Sequence, residues 1–308
     1  MDTASKDVLS TIAMDLDLPS LLRWCQTGTR INKYICNNPE FWRSKLMREY
    51  PDYGILKLNK SLKEIYIFIY QLSLIKKLLN TKEGLYNIFL RKEISLSNKK
   101  LKKILAFDLP NLEKLFLDHN ILTEIPAFDL PNLRVIRLSN NQLIKIQTFN
   151  SPKLEVLELQ HNNLTEIPVL DLPNLLVLRL YNNQLKEIPA FDLPNLQDLF
   201  LSNNQFTEIP KFHLPNLQRL FLDYNNLTEI PAFDLPNLRE LYAQRNKLTT
   251  LPTIRLPMLQ ILNLNDNELT KIPELDLPSL QQLYLYNNKF TEGEKKRIKQ
   301  KYGNKVKL

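Results

Sequence analysis

The chain has 308 residues, and its 44% hydrophobic content is enough to build a core, which excludes a disordered polymer. The formal net charge of +8 is unevenly placed: residues 109–292 hold 15 basic and 21 acidic side chains, whereas residues 293–308 hold 7 basic and 1 acidic. Because the basic excess lies outside the central part of the chain, the charge argues against nucleic acid as a partner.

The cysteine content and the lack of a leader-like segment predict a reducing compartment. Cys25 and Cys36 are the only cysteines. The first residues lack a basic segment followed by an apolar one, and the densest apolar run, Ile65 to Ile75, is too short to span a bilayer. We therefore expect a soluble, cytoplasmic protein that binds no membrane and whose two cysteines are thiols in a core.

Residues 1–50 are predicted to form a small helical domain. Leu9 and Ile12 belong to a set of apolar residues at helical spacing, which indicates a first helix. Pro19 and Pro39 each stand where a further helix is expected to begin, since proline suits the first turn.

This order of features resembles the F-box, a three-helix module. The resemblance covers residues 5–48 and rests on the apolar first helix, Leu16-Asp17-Leu18-Pro19, Arg30-Ile31 and Phe41-Trp42. It implies docking to a Skp-family adaptor and, through it, to a cullin ubiquitin ligase. The implied adaptor contacts are Val8, Leu9, Ile12, Leu18, Pro19, Leu21, Leu22, Ile31 and Trp42. One departure is that Ala4-Ser5 stands where the family has its opening Leu-Pro.

Residues 51–87 are predicted to be a helical connector. Ser61 and Glu64 have the spacing of a capping box that precedes an apolar run. Apolar residues from Leu62 to Leu79 cover so much of the helix circumference that we expect this helix to be buried on at least two sides.

From Leu109 to Glu292 the sequence repeats every 21 residues, nine times, in the form Leu-Pro-Asn-Leu-x-x-Leu-x-Leu-x-x-Asn-x-Leu-x-x-Ile-Pro-x-Phe-Asp. The alternating leucines predict a short strand, and the two prolines of the return leg favour extended or 3₁₀ backbone over an α-helix. Residues 88–108 form a degenerate copy, and residues 293–308 form a C-terminal cap with a short helix and a strand. A lone repeat buries too little apolar surface to offset the conformational entropy lost on folding, so the repeats must stack.

This pattern resembles the leucine-rich repeat. The implied fold is an α/β solenoid, a horseshoe with parallel β-strands on the concave face and a mostly irregular or 3₁₀ convex side, preceded by the helical F-box-like domain. The Asn of each repeat, from Asn120 to Asn288, must satisfy its amide, and we expect it to bond the backbone of its turn and of the next repeat.

No constellation of residues predicts catalysis. His119 and His161 share a repeat position two copies apart, about 10 Å, which is too far for one metal ion. No glycine occurs between Leu85 and Glu292, so no phosphate-cradling loop is expected in the repeats. We expect no catalytic residues, no metal, no cofactor and no enzyme activity.

The outward strand positions vary from repeat to repeat, whereas the Leu, Asn and Pro positions stay nearly constant. This contrast is typical of a binding face. Aromatic and arginine residues, the usual anchors of protein interfaces, are common there. The rings of Phe200, Phe221 and Tyr242 are expected side by side and exposed, about 5 Å apart. The candidate target-binding residues are Phe116, Arg137, Glu158, Arg179, Tyr181, Phe200, Phe221, Tyr224, Tyr242, Arg245, Tyr284 and Tyr286.

Together the two resemblances imply a substrate receptor of an SCF-type ubiquitin ligase, monomeric outside the complex, that holds a target protein on its concave face. The alternative is a non-catalytic interaction scaffold in which the N-terminal helices only cap the first repeat, without a link to ubiquitin. The wealth of Asn, Lys and Ile, with this domain pairing, is similar to F-box-like families of large DNA viruses of amoebae, which implies the cytoplasm of a host cell. The seven basic residues after residue 292 are interpreted as a solvated cap, with an acidic surface or a nuclear import receptor as other possible partners.

Overall fold

The chain consists of a helical unit and a solenoid of parallel strands. The structure is a computed structural model that describes residues 6–56 and 58–308, apart from the side chains of Arg30 and Ile55. Ala4-Ser5, and the side chain of the Arg30 that contributed to the F-box resemblance, therefore lie outside what is described. Within the described ranges, no helix combines the length and apolarity that a membrane crossing requires.

The first unit ends at Arg91 and also takes in Phe107–Leu109. A π-helical turn, Asn32–Cys36, and a 3₁₀ turn, Tyr53–Leu56, connect its helices. The helices are α1 (Lys6–Asp15), α2 (Leu18–Cys25), α3 (Thr29–Ile31), α4 (Pro39–Glu49), α5 (Leu62–Leu79) and α6 (Leu85–Phe89).

Side-chain caps begin these helices where the sequence predicts. Asp17 accepts a hydrogen bond from the backbone N–H of Ser20 at the start of α2. Ser61 and Glu64 form the predicted capping box, each accepting from the other's backbone N–H. Such caps satisfy N–H groups that the first helical turn leaves without partners.

A buried lysine holds the core of the helical unit together. Lys45 has no exposed surface, and its ammonium donates to the carbonyl oxygens of Met14 (2.8 Å) and Leu16 (3.0 Å) and to the Glu49 carboxylate (2.7 Å). Tyr66 donates its hydroxyl to the other Glu49 oxygen, and burial raises the pKa of Tyr66. A buried ammonium is tolerated because every side of it meets an acceptor.

The expectation that the cysteines are core thiols is wrong. Cys25 at the end of α2 and Cys36 in the π-helical turn form a disulfide, with their Cα atoms 5.9 Å apart. Trp42 donates its indole N–H to the carbonyl oxygen of Cys36 (3.0 Å), which fixes the same turn from the other side. The pairing depends on the fold that brings α2 and the turn together, and an eleven-residue separation does not reveal it.

The second unit, Lys92–Ala106 and Pro110–Leu308, is one parallel sheet of eleven strands in sequence order. Neighbouring strands from β1 to β10 pair in a register of 21 residues, so the inward Leu or Ile of one repeat lies beside that of the next. The strands are β1 (Glu93–Ser95), β2 (Lys114–Phe116), β3 (Val135–Arg137), β4 (Val156–Glu158), β5 (Val177–Arg179), β6 (Asp198–Phe200), β7 (Arg219–Phe221), β8 (Glu240–Tyr242), β9 (Ile261–Asn263), β10 (Gln282–Tyr284) and β11 (Val306–Lys307).

The C-terminal segment has the predicted helix and strand. Helix α7 (Glu292–Tyr302) buries Ile298, a 3₁₀ turn covers Gly303–Lys305, and β11 pairs with β10 in parallel. The final strand therefore covers the edge of β10, which would otherwise present unpaired backbone groups.

The return legs are irregular, as expected, but residues 110–291 contain no 3₁₀ helix. Three phenylalanines of successive return legs, Phe191, Phe212 and Phe233, stack with nearly parallel rings 6.4 and 6.5 Å apart. Packing of one leg on the next thus takes the place of local helical bonding.

The repeated asparagine forms the predicted buried ladder, but it reaches the preceding repeat rather than the next. The Asn204 amide donates to the carbonyl oxygens of Leu180 (3.0 Å) and Leu201 (3.1 Å), and its oxygen accepts from the Leu185 N–H (3.1 Å). Leu180 and Leu185 both lie one repeat earlier, and the same bonds recur up to Asn288.

A second ladder is formed by the Asn of the Leu-Pro-Asn-Leu motif. The sequence pattern predicted no role for this Asn. Asn195 and Asn216 each donate to the carbonyl oxygen of the proline one repeat earlier, Pro173 and Pro194 (both 2.8 Å). These bonds are exposed, so they contribute less than the buried ladder.

One residue in every repeat has a left-handed backbone. At this position φ lies between 52° and 56°, and the residues are His119, Asn140, His161, Asn182, Asn203, Tyr224, Arg245, Asp266 and Asn287. Asn, Asp and His adopt this conformation readily, whereas Tyr224 and Arg245 do not. Two neighbouring repeats therefore carry backbone strain that the others avoid.

Replacing Asn204 by Leu should lower the free energy of unfolding by about 1–3 kcal/mol, because the Leu185 N–H loses its buried acceptor. Asn288 makes the same bonds in a half-buried site near the end of the solenoid, so Asn288→Leu should cost less. Chemical denaturation of both variants decides this, and equal losses would contradict it.

Replacing Tyr224 and Arg245 together by Asn should raise the free energy of unfolding by about 1 kcal/mol, because the strain of two left-handed residues is relieved. The reverse change one repeat earlier, Asn203→Tyr, should lower it. Thermal melts of the two variants provide the measurement, and a loss of stability in the double variant would refute the strain.

Candidate functional site

Seven outward side chains from seven consecutive strands form one continuous row on the concave face. We call this row the concave ladder; its members are Phe116, Arg137, Glu158, Arg179, Phe200, Phe221 and Tyr242. Each pair of neighbours is a register pair of the parallel sheet, so the 21-residue repeat alone aligns them. All seven were predicted to bind a target.

The first half of the concave ladder is held by charge. The Arg137 guanidinium lies 4.8 Å from the centroid of the Phe116 ring and 3.4 Å from the Glu158 carboxylate. Arg179 donates to the same carboxylate and lies 5.4 Å from the ring of Phe200. Glu158 is buried between its two arginines, so its charge is neutralised within the row.

The second half is a stack of rings. The Phe200 and Phe221 centroids are 4.6 Å apart, and those of Phe221 and Tyr242 are 4.7 Å apart, with interplanar angles of 14° and 6°. The predicted spacing of the rings is confirmed, and Arg179 borders the stack at Phe200. The expectation that the rings are exposed is wrong, because stacking covers their faces and leaves each ring half-buried.

Two ionisable groups beside the rings, Asp223 and Tyr242, have pKa values raised by their surroundings. Burial raises the pKa of Asp223, although the carboxylate accepts a hydrogen bond from the Ser202 hydroxyl (2.6 Å). Burial and the neighbouring Glu240 carboxylate raise the pKa of Tyr242. The surface next to the rings is thus partly desolvated, which lowers the cost of covering it.

The other predicted target contacts surround the concave ladder at different distances. Tyr181 packs edge-on against Phe200, with centroids 6.5 Å apart. Tyr224 and Arg245 form a separate pair, with the guanidinium 4.8 Å from the ring. Tyr284 and Tyr286 belong to the last repeat, beyond the Asn263 position that follows Tyr242 in the row.

A second apolar strip, not predicted from the sequence, lies on the strands before the rings. Val135, Val156 and Val177 are register neighbours, half-buried, two positions before the charged half of the concave ladder. In the next three strands the same positions hold Asp198, Arg219 and Glu240, beside the rings. The apolar band therefore changes rows between β5 and β6, a pattern visible only when the repeats are aligned one above another.

The predicted adaptor contacts divide into two groups. Val8 and Ile12 on α1 are exposed, as is Pro19, and Leu22 on α2 is half-buried. The remaining five form the core of the helical unit and face no solvent: Leu9, Leu18, Leu21, Ile31 and Trp42. Helical spacing identified the apolar face correctly, but the unit's own packing covers that face, so direct contact with a partner is open only to the first group.

Comparison with protein-family models places the repeats in a known family. The model described as Leucine Rich repeats (2 copies) matches overlapping pairs of repeats from residues 110–151 to residues 257–292, more than half of the chain. Comparison with curated proteins gives no match.

Solved structures agree on the fold. The chain is similar to YopM, a leucine-rich effector protein from Yersinia pestis, with 29% identity and a TM-score of 0.58 over 82% of this chain and 66% of that one. It is also similar to the functional domain of InlJ from Listeria monocytogenes, with 25% identity and a TM-score of 0.55 over 65% of this chain and 45% of that one. The chain thus spans less than two thirds of the length of either.

A third similarity concerns the fold alone. A chain in an octameric complex of Latrophilin 3, Unc5D and FLRT2 has 19% identity and a TM-score of 0.55, over 70% of this chain and 89% of that one. Proteins built from these repeats are generally non-catalytic interaction modules, which use the strand face of the solenoid as an extended binding surface. The chain, with its helical N-terminal region followed by about ten turns of parallel-strand solenoid, belongs to the leucine-rich-repeat family.

Proposed function

We propose that this protein is a substrate receptor: the concave ladder holds a target protein, and the N-terminal helices recruit a Skp-family adaptor and its cullin ubiquitin ligase. The observation that carries the target-binding half is the unbroken row from Phe116 to Tyr242, in which every neighbour is in contact. Aromatic and arginine side chains that are already ordered lose little entropy on binding, so they make effective anchors.

The adaptor half rests on the helical unit. Residues 5–48 resemble the F-box in sequence, and α1 leaves Val8 and Ile12 exposed on one surface. Exposed apolar residues on a short helix are suited to contact an apolar surface of a partner protein. The runner-up function is a scaffold in which these helices only cap the repeats, and Ala4-Ser5 in place of the family's Leu-Pro favours it.

We further propose the cytoplasm as the location, of a host cell if the source is viral. The Cys25–Cys36 disulfide argues the other way, because disulfides persist in oxidising compartments. Fractionation of cells expressing the tagged full chain, with alkylation to count free thiols, distinguishes the two. Recovery in the secretory fraction would also remove the proposed link to a cullin ligase.

Replacing Phe221 by Ala should weaken target binding by about 2 kcal/mol, roughly 30-fold, because the central ring of the stack is lost. Partners captured from eukaryotic lysate by the wild-type chain are identified, and their affinity for each variant is measured. Because the ring is half-buried and stacked, the change should also cost about 1–3 kcal/mol of stability, so circular dichroism must confirm the fold.

The matched control is Val169→Ala, which trims an exposed apolar side chain on a return leg. It should leave binding unchanged. A partner that binds the folded Phe221→Ala variant as tightly as the control does not use the concave ladder.

Replacing Val8 and Ile12 together by Glu should reduce adaptor affinity by at least about tenfold, because charge enters an apolar contact while the core residues stay in place. Binding of purified adaptor is measured by calorimetry, with Val169→Glu as the control for a new surface charge. Adaptor binding that persists in the double variant would contradict the F-box assignment. If the wild-type chain has no affinity for the adaptor, the scaffold function is favoured instead.

A further inference from the structure

The stacked rings present their edges rather than their faces. Both faces of Phe221 are covered, by Phe200 and by Tyr242, and Arg179 lies over the ring of Phe200. Nucleobases bind by stacking on ring faces, and cations bind over them. The faces of Phe200 and Phe221 are occupied, so their edges remain for a ligand, and ring edges pack well against apolar side chains.

Most ion pairs of the concave face expose the basic partner more than the acidic one, whereas the pair of Lys114 and Glu93 exposes both about equally, 50% and 52%. The exposed fraction of the side chain is 49% for Arg137 against 12% for Glu158, and 46% for Arg219 against 11% for Asp198. The pair of Arg245 and Asp266 shows the same order, 57% against 38%. In these three pairs the guanidinium group is the more exposed partner, so a ligand that reaches them meets a cation first.

This polarity is opposite to that of the solenoid as a whole. Residues 109–292 carry 15 basic and 21 acidic side chains. Four of the acids, Glu166, Glu187, Glu208 and Glu229, are exposed at the same position of successive return legs. An acidic ligand is therefore repelled by the return legs and attracted to the strand face.

The strained pair beside the rings adds a cation at a fixed place. Tyr224 and Arg245 both have a left-handed backbone where other repeats have Asn, Asp or His, and they contact each other. Strain of this kind is retained where a side chain serves binding. Arg245 stands three residues after Tyr242, the last ring of the stack.

Resting on the proposed function, we propose that the ligand of the concave ladder is an acidic segment of a partner protein. Its apolar side chains lie along the edges of Phe200, Phe221 and Tyr242, and its carboxylates reach Arg219 and Arg245. The match of charge and the occupied ring faces select this ligand over a basic peptide or a nucleic acid.

The test uses the full chain and three fluorescent probes. Two are 12-residue peptides of the repeated triplets Leu-Gly-Glu and Leu-Gly-Lys, and the third is a 12-nucleotide oligothymidylate. Fluorescence anisotropy should show that the glutamate peptide binds at least tenfold more tightly than the lysine peptide. Arg245→Gln should reduce that preference at least threefold, whereas Arg255→Gln, which removes the same charge at an exposed site outside the strands, should not.

The outcomes separate this inference from the proposed function. Equal binding of both peptides that is lost in Phe221→Ala keeps the concave site but overturns the acidic ligand. Preference for the glutamate peptide that Phe221→Ala leaves unchanged overturns the concave ladder as the site. Tighter binding of oligothymidylate, or no saturable binding of the glutamate peptide at millimolar concentration, also overturns the inference.

Discussion

The buried asparagine amide is the interaction on which the solenoid depends. Strands β1 to β10 have only three residues each and β11 has two, so each repeat contributes few hydrogen bonds within the strands themselves. The amide of Asn204 bonds the turn of its own repeat and two backbone groups of the repeat before it, and the other repeats do the same. Because most of these bonds are buried among leucines, they fix the 21-residue register and not merely the compactness of the stack.

A fixed register converts a sequence repeat into a surface. Residues 21 positions apart become neighbours, so seven unrelated side chains join into the concave ladder without any loop or helix to position them. The effect of a substitution in the concave ladder on stability depends on the neighbouring side chains. Glu158 is neutralised by two arginines, whereas Phe221 lies between two rings. The helical unit follows a different rule, since Lys45 and the disulfide organise its small core through contacts distant in sequence.

The sequence predicted what depends on periodicity and missed what depends on packing. Strands, the irregular return legs, the asparagine ladder, the capping box at Ser61 and the row from Phe116 to Tyr242 all follow from spacing. Burial of Leu9, the Cys25–Cys36 bond and the half-burial of Phe221 depend on which faces meet, which no local pattern contains. The strain at Tyr224 was also hidden, although an aligned column of Asn, Asp and His interrupted by Tyr and Arg is a signal that could have revealed it.

The direction of the asparagine bonds has a consequence for how the protein is made. The Leu185 N–H finds its acceptor in Asn204, 19 residues later, so a repeat is complete only when its successor is in place. A repeat at the growing end of the chain therefore lacks one buried hydrogen-bond acceptor until the next repeat has been made. At the far end β11 pairs with β10 and covers its edge without a further repeat, so the periodic stacking ends there.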